Sequence, residues 1–93
     1  MQARALVEAR VDADRLLLAT RSALQADADL LASAERAAID AAMAALQTSA
    51  IGDDAPAIEA ASKSLAQATE AFAAQRMNRG IARALSGKNI ATL

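Results

Sequence analysis

Three pairs of carboxylates and one row of guanidiniums are the groups in this chain with any reach toward chemistry. They are Asp12 with Asp14, Asp27 with Asp29, Asp53 with Asp54, and Arg76, Arg79 and Arg83. A calcium loop needs several oxygen ligands at fixed spacing around a central glycine, and none of the three pairs supplies that set. Helix capping and solvation account for these carboxylates instead. The arginines recur at three- and four-residue spacing, so they form a basic stripe that suits an acidic partner. Cations also collect near helix C-termini without any partner, and that is the reading adopted for them. With no His, the commonest general base and transition-metal ligand is missing, and with no Cys, disulfides and thiolate metal sites are excluded. Met43 and Met77 read as core fillers and not as metal ligands. No phosphate-binding loop and no nucleophile–base set is present, so no catalytic, cofactor or metal residue is assigned.

The composition narrows the class further. Of the 93 residues, 29 are Ala, while Leu, Ile, Val and Phe together number 19. Alanine is the best helix former but buries little area, so an all-α fold with a thin core is expected. Its stability should fall at the low end of the roughly 5–15 kcal/mol usual for domains. The net charge of −1 argues against binding a phosphate backbone, and a single aromatic, Phe72, leaves no surface on which bases could stack. No apolar run approaches the roughly 20 residues of a membrane helix, and the N-terminus lacks a signal-peptide core. The expectation is a soluble, cytoplasmic segment with neither nucleic acid nor membrane as partner.

Glycine and proline are sparse, and their positions divide the chain. Neither occurs from Gln2 to Ala28, so a first helix over residues 2–28 would be about 40 Å long. A second helix, over 33–51, opens with Ser33 as cap and Glu35 in its first turn, and Gly52 stops it. Asp53 or Asp54 caps a third helix over 54–86, with Pro56 in the first turn where its missing amide hydrogen is harmless. Ile39, Met43 and Leu46 on the second helix, and Ile58, Leu65 and Phe72 on the third, recur at helical spacing and form the inward stripes. From Phe72 to Met77 the spacing becomes five, with Asn78 and Gly80 close by. This predicts either a bend or a separate short fourth helix from about Arg79. Residues 88–93 read as a frayed tail.

The first helix carries two faces. Leu17, Thr20, Leu24, Ala28 and Leu31 point toward an antiparallel three-helix bundle, while Val7, Val11 and Leu18 lie elsewhere. The second and third helices are too short to cover both faces. The bundle is therefore expected to begin near Leu16, with the preceding arm protruding and exposing Leu6, Val7 and Val11. A periodic exposed stripe points to an absent partner, the alternative being an end that simply frays.

Several stretches resemble a known family. The long first helix, the segment Ser33-Ala-Glu-Arg-Ala-Ala-Ile-Asp40 and the Gly52-Asp-Asp54 before the third helix resemble the lid of DnaK-like, seventy-kilodalton heat-shock chaperones. The segment Phe72-Ala-Ala-Gln-Arg-Met-Asn-Arg-Gly-Ile-Ala-Arg-Ala-Leu-Ser-Gly87 is similar to the end of HscA-type members, as is Gln2-Ala-Arg-Ala-Leu-Val-Glu-Ala-Arg10 to their lid helix. The resemblance spans essentially the whole chain and implies a C-terminal helical lid belonging to a longer parent. Such parents have an ATPase domain that uses ATP and a β-sandwich that holds extended peptide. The lid opens in the ATP state and closes in the ADP state. HscA-type members serve iron–sulfur cluster assembly, with IscU as client and HscB as co-chaperone.

On this resemblance Leu6, Val7, Val11, Asp14 and Leu18 are the expected contacts to the β-sandwich. Asp14-Arg15-Leu16-Leu17 also matches the family pattern in which an aspartate latches to an arginine of the sandwich. Read by itself, Asp14 is a solvated helix charge within reach of Arg10 at i−4. The acidic tail motif of some eukaryotic relatives is absent from the closing Asn89-Ile-Ala-Thr-Leu93. The reading from a different class is a free-standing helical interaction module that self-associates along Val7, Val11 and Leu18. Either way the chain has no catalytic apparatus.

Overall fold

The structure is a computed structural model that describes residues 2–92, with side chains described for residues 4–85. Its elements are α1 (Gln2–Asp27), a 3-10 turn (Ala28–Leu30), α2 (Ser33–Ile51), α3 (Ala55–Ala68) and α4 (Glu70–Thr92). No strand occurs among the described residues. Short connections make α1 to α3 run up, down and up as a bundle. The bundle encloses Leu17, Leu24, Ile39, Met43, Leu46, Ile58, Leu65 and Phe72, while Leu31 is half-buried at the rim.

Local chemistry explains the boundaries. Ser33 is the first residue of α2 and not its cap; Ala32 occupies the cap position, and its amide donates to Glu35 Oε1 at 2.9 Å. Alanine has no side-chain oxygen to return that bond, so only one half of a capping box forms. At α3, Asp54 is the cap, with Oδ1 accepting from the Ala57 amide at 3.3 Å, and Pro56 sits in the first turn. Gly52 follows the end of α2 in an extended conformation, φ −75° and ψ −175°, which any residue can adopt.

Two expectations are corrected. The first concerns which element protrudes. Ala9 and Ala13 are fully packed in the core and Leu6 is half-buried against it, so the bundle extends well below Leu16. The reason lies in alanine itself. Residues 9, 13 and 17 form one helical face, but in so Ala-rich a chain a core alanine cannot be told from a surface one. Arg10 anchors this end further, with Nε donating to the Ala50 carbonyl at 3.1 Å and Nη2 to that of Gly52 at 2.6 Å. Those are the orphan carbonyls at the end of α2. Among the described large apolar side chains of α1, only Val7, Val11 and Leu18 are left exposed.

The second correction concerns the break in the third helix. It falls at Thr69, giving a fourth helix of 23 residues that runs unbroken through Asn78 and Gly80. Thr69 has φ −98° and ψ 0°, and its hydroxyl lies 3.1 Å from the Leu65 carbonyl and 3.0 Å from that of Ala66. A threonine hydroxyl competing for carbonyls loosens the regular ladder. The change of phase after Phe72 is real but marks a change of surroundings: Met77, Ile81 and Leu85 face solvent. Met77, expected as a core filler, is 67% exposed. Helices α3 and α4 laid end to end would measure about 55 Å, close to the 59 Å long axis of the molecule. Beyond its first turns, then, α4 is the element that leaves the bundle.

Three substitutions test this packing. Leu46→Ala, at a site with no exposed surface, should cost about 2–5 kcal/mol in urea unfolding, whereas Ile51→Ala, at a residue 84% exposed, should fall within about 0.5 kcal/mol of the parent. Gly80 has nothing within 4 Å of where a Cβ would stand. Gly80→Ala should therefore raise helicity by circular dichroism and stabilise α4 by up to about 1 kcal/mol.

Candidate functional site: an exposed stripe and an ion-pair clasp

At about 100° per residue, Val7, Val11 and Leu18 fall within a narrow strip of α1, roughly 140° around the helix from the buried face of Ala9, Ala13, Leu17, Thr20 and Leu24. All three are exposed, Val7 at 58% and Leu18 at 68%. Asp14 is also exposed and lies on the edge of the same strip. Among the described residues no ion pair engages it, and Arg10, its expected neighbour, is committed to the end of α2. Four of the five expected contact residues thus share one surface. Leu6 does not, because it lies on the inward face.

A second constellation joins α4 to the end of α1, and sequence reasoning missed it. Arg76 Nε donates to Asp27 Oδ2 at 2.8 Å, and Arg79 Nη1 donates to Asp27 Oδ1 at 3.0 Å. Arg79 also grips Asp29 with both prongs, Nη1 to Oδ1 at 2.9 Å and Nη2 to Oδ2 at 2.6 Å. The Asp27 side chain is only 12% exposed, whereas that of Asp29 is 67% exposed. The Arg76 guanidinium carbon also stands 5.9 Å from the centroid of the Phe72 ring, a cation–π distance.

Of the carboxylates and guanidiniums expected as caps and dipole complements, Asp27 and Asp29 instead pair with Arg76 and Arg79 across about fifty residues of chain. The one available signal was an acidic pair at the end of one helix and a basic stripe on another. Arg36 with Asp40 and Arg4 with Glu8 are ordinary surface pairs one helical turn apart.

Electrostatics follow the geometry. Asp27 is held below the ordinary carboxylate value of 3.8 chiefly by its hydrogen bond from Arg76, with partial burial opposing and Arg79 adding to the effect. Asp29 is lowered mainly by its hydrogen bond from Arg79, again against partial burial, and Arg83 contributes a weaker attraction. The Arg79 guanidinium is held still more firmly protonated by Asp29 and Asp27.

Among the described residues no grouping of metal-ligating side chains occurs, and bare apolar side chains line one face of α1 (Val7, Val11 and Leu18) and one face of α4 (Met77, Ile81 and Leu85). Residues 1–78 match the family model described as Hsp70 protein, and the chain belongs to the Hsp70 family. Within that family its similarity is to HscA-type chaperones. The chain is 70% identical over 93 residues to a chaperone protein HscA homolog of Variovorax paradoxus (strain S110), a match covering 100% of this chain and 15% of that protein. Homologs of the same description from Acidovorax ebreus (strain TPSY) and Delftia acidovorans (strain DSM 14801 / SPH-1) are 66% identical over 94 residues and 63% over 93, with the same shares covered. The chain thus spans 15% of the length of these curated relatives. The resemblance to HscA-type chaperones read from the residues holds across the whole chain. No helix of the described residues is long and apolar enough to cross a membrane.

Because Asp27 and Asp29 titrate below 3.8 when folded, the stability they contribute is fully present above that value and lost as pH falls through their lowered values. Urea-unfolding free energy measured from about pH 5 down to pH 2 should therefore fall less steeply in Asp27→Asn/Asp29→Asn than in the parent chain.

Proposed function

We propose that this segment is the lid of the substrate-binding domain of an HscA-like chaperone, closing over bound peptide in the ADP state to slow its escape. The observation that carries the reading is the exposed strip of Val7, Val11 and Leu18 with Asp14 at its edge. It runs along a helix whose opposite face is fully committed to the bundle. A long rigid helix, packed on one side and bare on the other, suits a lid arm that rests on a second domain. The strip would meet the parent's β-sandwich, and Asp14 would latch to an arginine there.

The parent's ATPase domain would bind ATP and drive opening. Nucleotide binding is assigned to that domain; in this segment Arg76 and Arg79 are paired with Asp27 and Asp29. By likeness to the HscA homologs, the work is cytoplasmic maturation of iron–sulfur proteins, with IscU as client and HscB as co-chaperone. Self-association of the isolated segment is compatible with this role, because a lid taken from its β-sandwich leaves the same strip bare.

Restoring the segment to a lidless parent should slow release of a fluorescent peptide in the ADP state. Val11→Asp/Leu18→Asp in the full-length chaperone should speed release roughly tenfold or more. Burying each such side chain is worth about 1.5–3 kcal/mol, and 1.4 kcal/mol is about tenfold. Release rates unchanged by both manipulations would overturn the lid reading.

A further inference from the structure

The attachment of α4 to the rest of the molecule is confined to its first turns. Between Glu70 and Leu85 only Phe72 is buried and only Arg79 is half-buried; the remaining side chains are exposed. The joint before it is a single residue. The Thr69 amide is shared between the carbonyls of Leu65 at 3.1 Å and Ala66 at 3.3 Å, and α4 restarts with the Ala73 amide donating to the Thr69 carbonyl at 2.8 Å. Past Phe72, the orientation of α4 is held by the four bonds from Arg76 and Arg79 to Asp27 and Asp29. The acceptors sit at the end of α1 and in the 3-10 turn, and the two arginines lie about one and two helical turns beyond Phe72. They hold α4 beside α1 at some distance from the joint.

One apolar plug and one partly exposed ionic grip are a light attachment for a helix of 23 residues that satisfies its own backbone internally. The bundle does not share this weakness. Its largest fully buried side chains, Ile39, Leu46, Ile58 and Leu65, all belong to α2 and α3. We infer that α4 is a hinged arm with a docked and a released state, Thr69 being the joint and the Asp27–Arg76–Arg79–Asp29 clasp its catch, while α1 to α3 stay folded in both. Release would uncover Phe72 and the shallow groove lined by Leu16, Ala19 and Ala23 against which it lies. Joint and catch both belong to this chain, whether or not the segment is a lid.

The chain has no cysteine, so Ala41→Cys on α2 and Ala82→Cys on α4, both exposed, give a clean pair for spin labels and pulsed dipolar distance measurement. The labelled chain should give one narrow distance distribution in low salt. Adding Asp27→Asn/Asp29→Asn, or raising salt to about 1 M where screening reaches ~3 Å, should shift most of the population into a second, broader distribution. The methyl resonances of Ile39 and Ile58 should keep their dispersion throughout. A distribution unchanged by both treatments would overturn the hinge, and so would loss of the Ile39 and Ile58 dispersion together with the distance change.

Discussion

A methyl group is fully covered only when another helix lies close against the backbone that carries it. Ala9 and Ala13 have almost no exposed surface, so α1 approaches its neighbours more closely there than leucine would permit. The rest of the bundle depends on that approach. With few large apolar residues, the chain cannot fill wide gaps between helices, and close packing lets Leu17, Leu24, Ile39, Leu46, Ile58 and Leu65 form one continuous core. The same closeness brings Arg10 within reach of the carbonyls at the end of α2. It also turns Val7, Val11 and Leu18 outward, since a helix seated on its alanine face has no other direction left for them.

This constraint also decides what could be read from the residues. The large side chains were legible, because Ile39–Met43–Leu46 and Ile58–Leu65–Phe72 recur at helical spacing and have few surface rivals. The end of α2 and the start of α3 were legible from Gly52, Asp54 and Pro56, which act locally. The seating of the first half of α1 was not legible. Its core residues are alanines, indistinguishable from those around them, and Leu6 alone does not define a face. The clasp was hidden for a different reason. Asp27 and Arg79 lie far apart in sequence, and each has a sufficient local explanation as a cap or a dipole complement, so only the fold brings them together.

The break at Thr69 shows how a correct signal can be placed wrongly. The five-residue step from Phe72 to Met77 does mark a change, and Asn78 and Gly80 beside it are weak helix formers. Propensity yields here because α4, at 23 residues, has many others to sustain it, whereas the threonine hydroxyl acts directly on the carbonyls that the ladder needs. What changes near Met77 is the environment. The face carrying Phe72, Arg76 and Arg79 follows the end of α1, while Met77, Ile81 and Leu85 lie on the opposite side. A stripe that shifts phase therefore has two physical meanings, a broken helix or an unbroken one that leaves its neighbour, and the sequence pattern does not separate them.

The molecule thus presents two apolar strips outward, on supports of different stiffness. That of α1 is carried by a helix packed along most of its length, so docking it orders little that was not already ordered. That of α4 rides beyond a single-residue joint and a partly solvated ionic grip. Any contact made there must also bear the cost of fixing the arm, unless the clasp has already done so. Equal apolar area on the two strips therefore does not mean equal affinity. The stiff strip favours a lasting contact with a surface of fixed shape, and the hinged one favours a contact that forms and breaks as the clasp does.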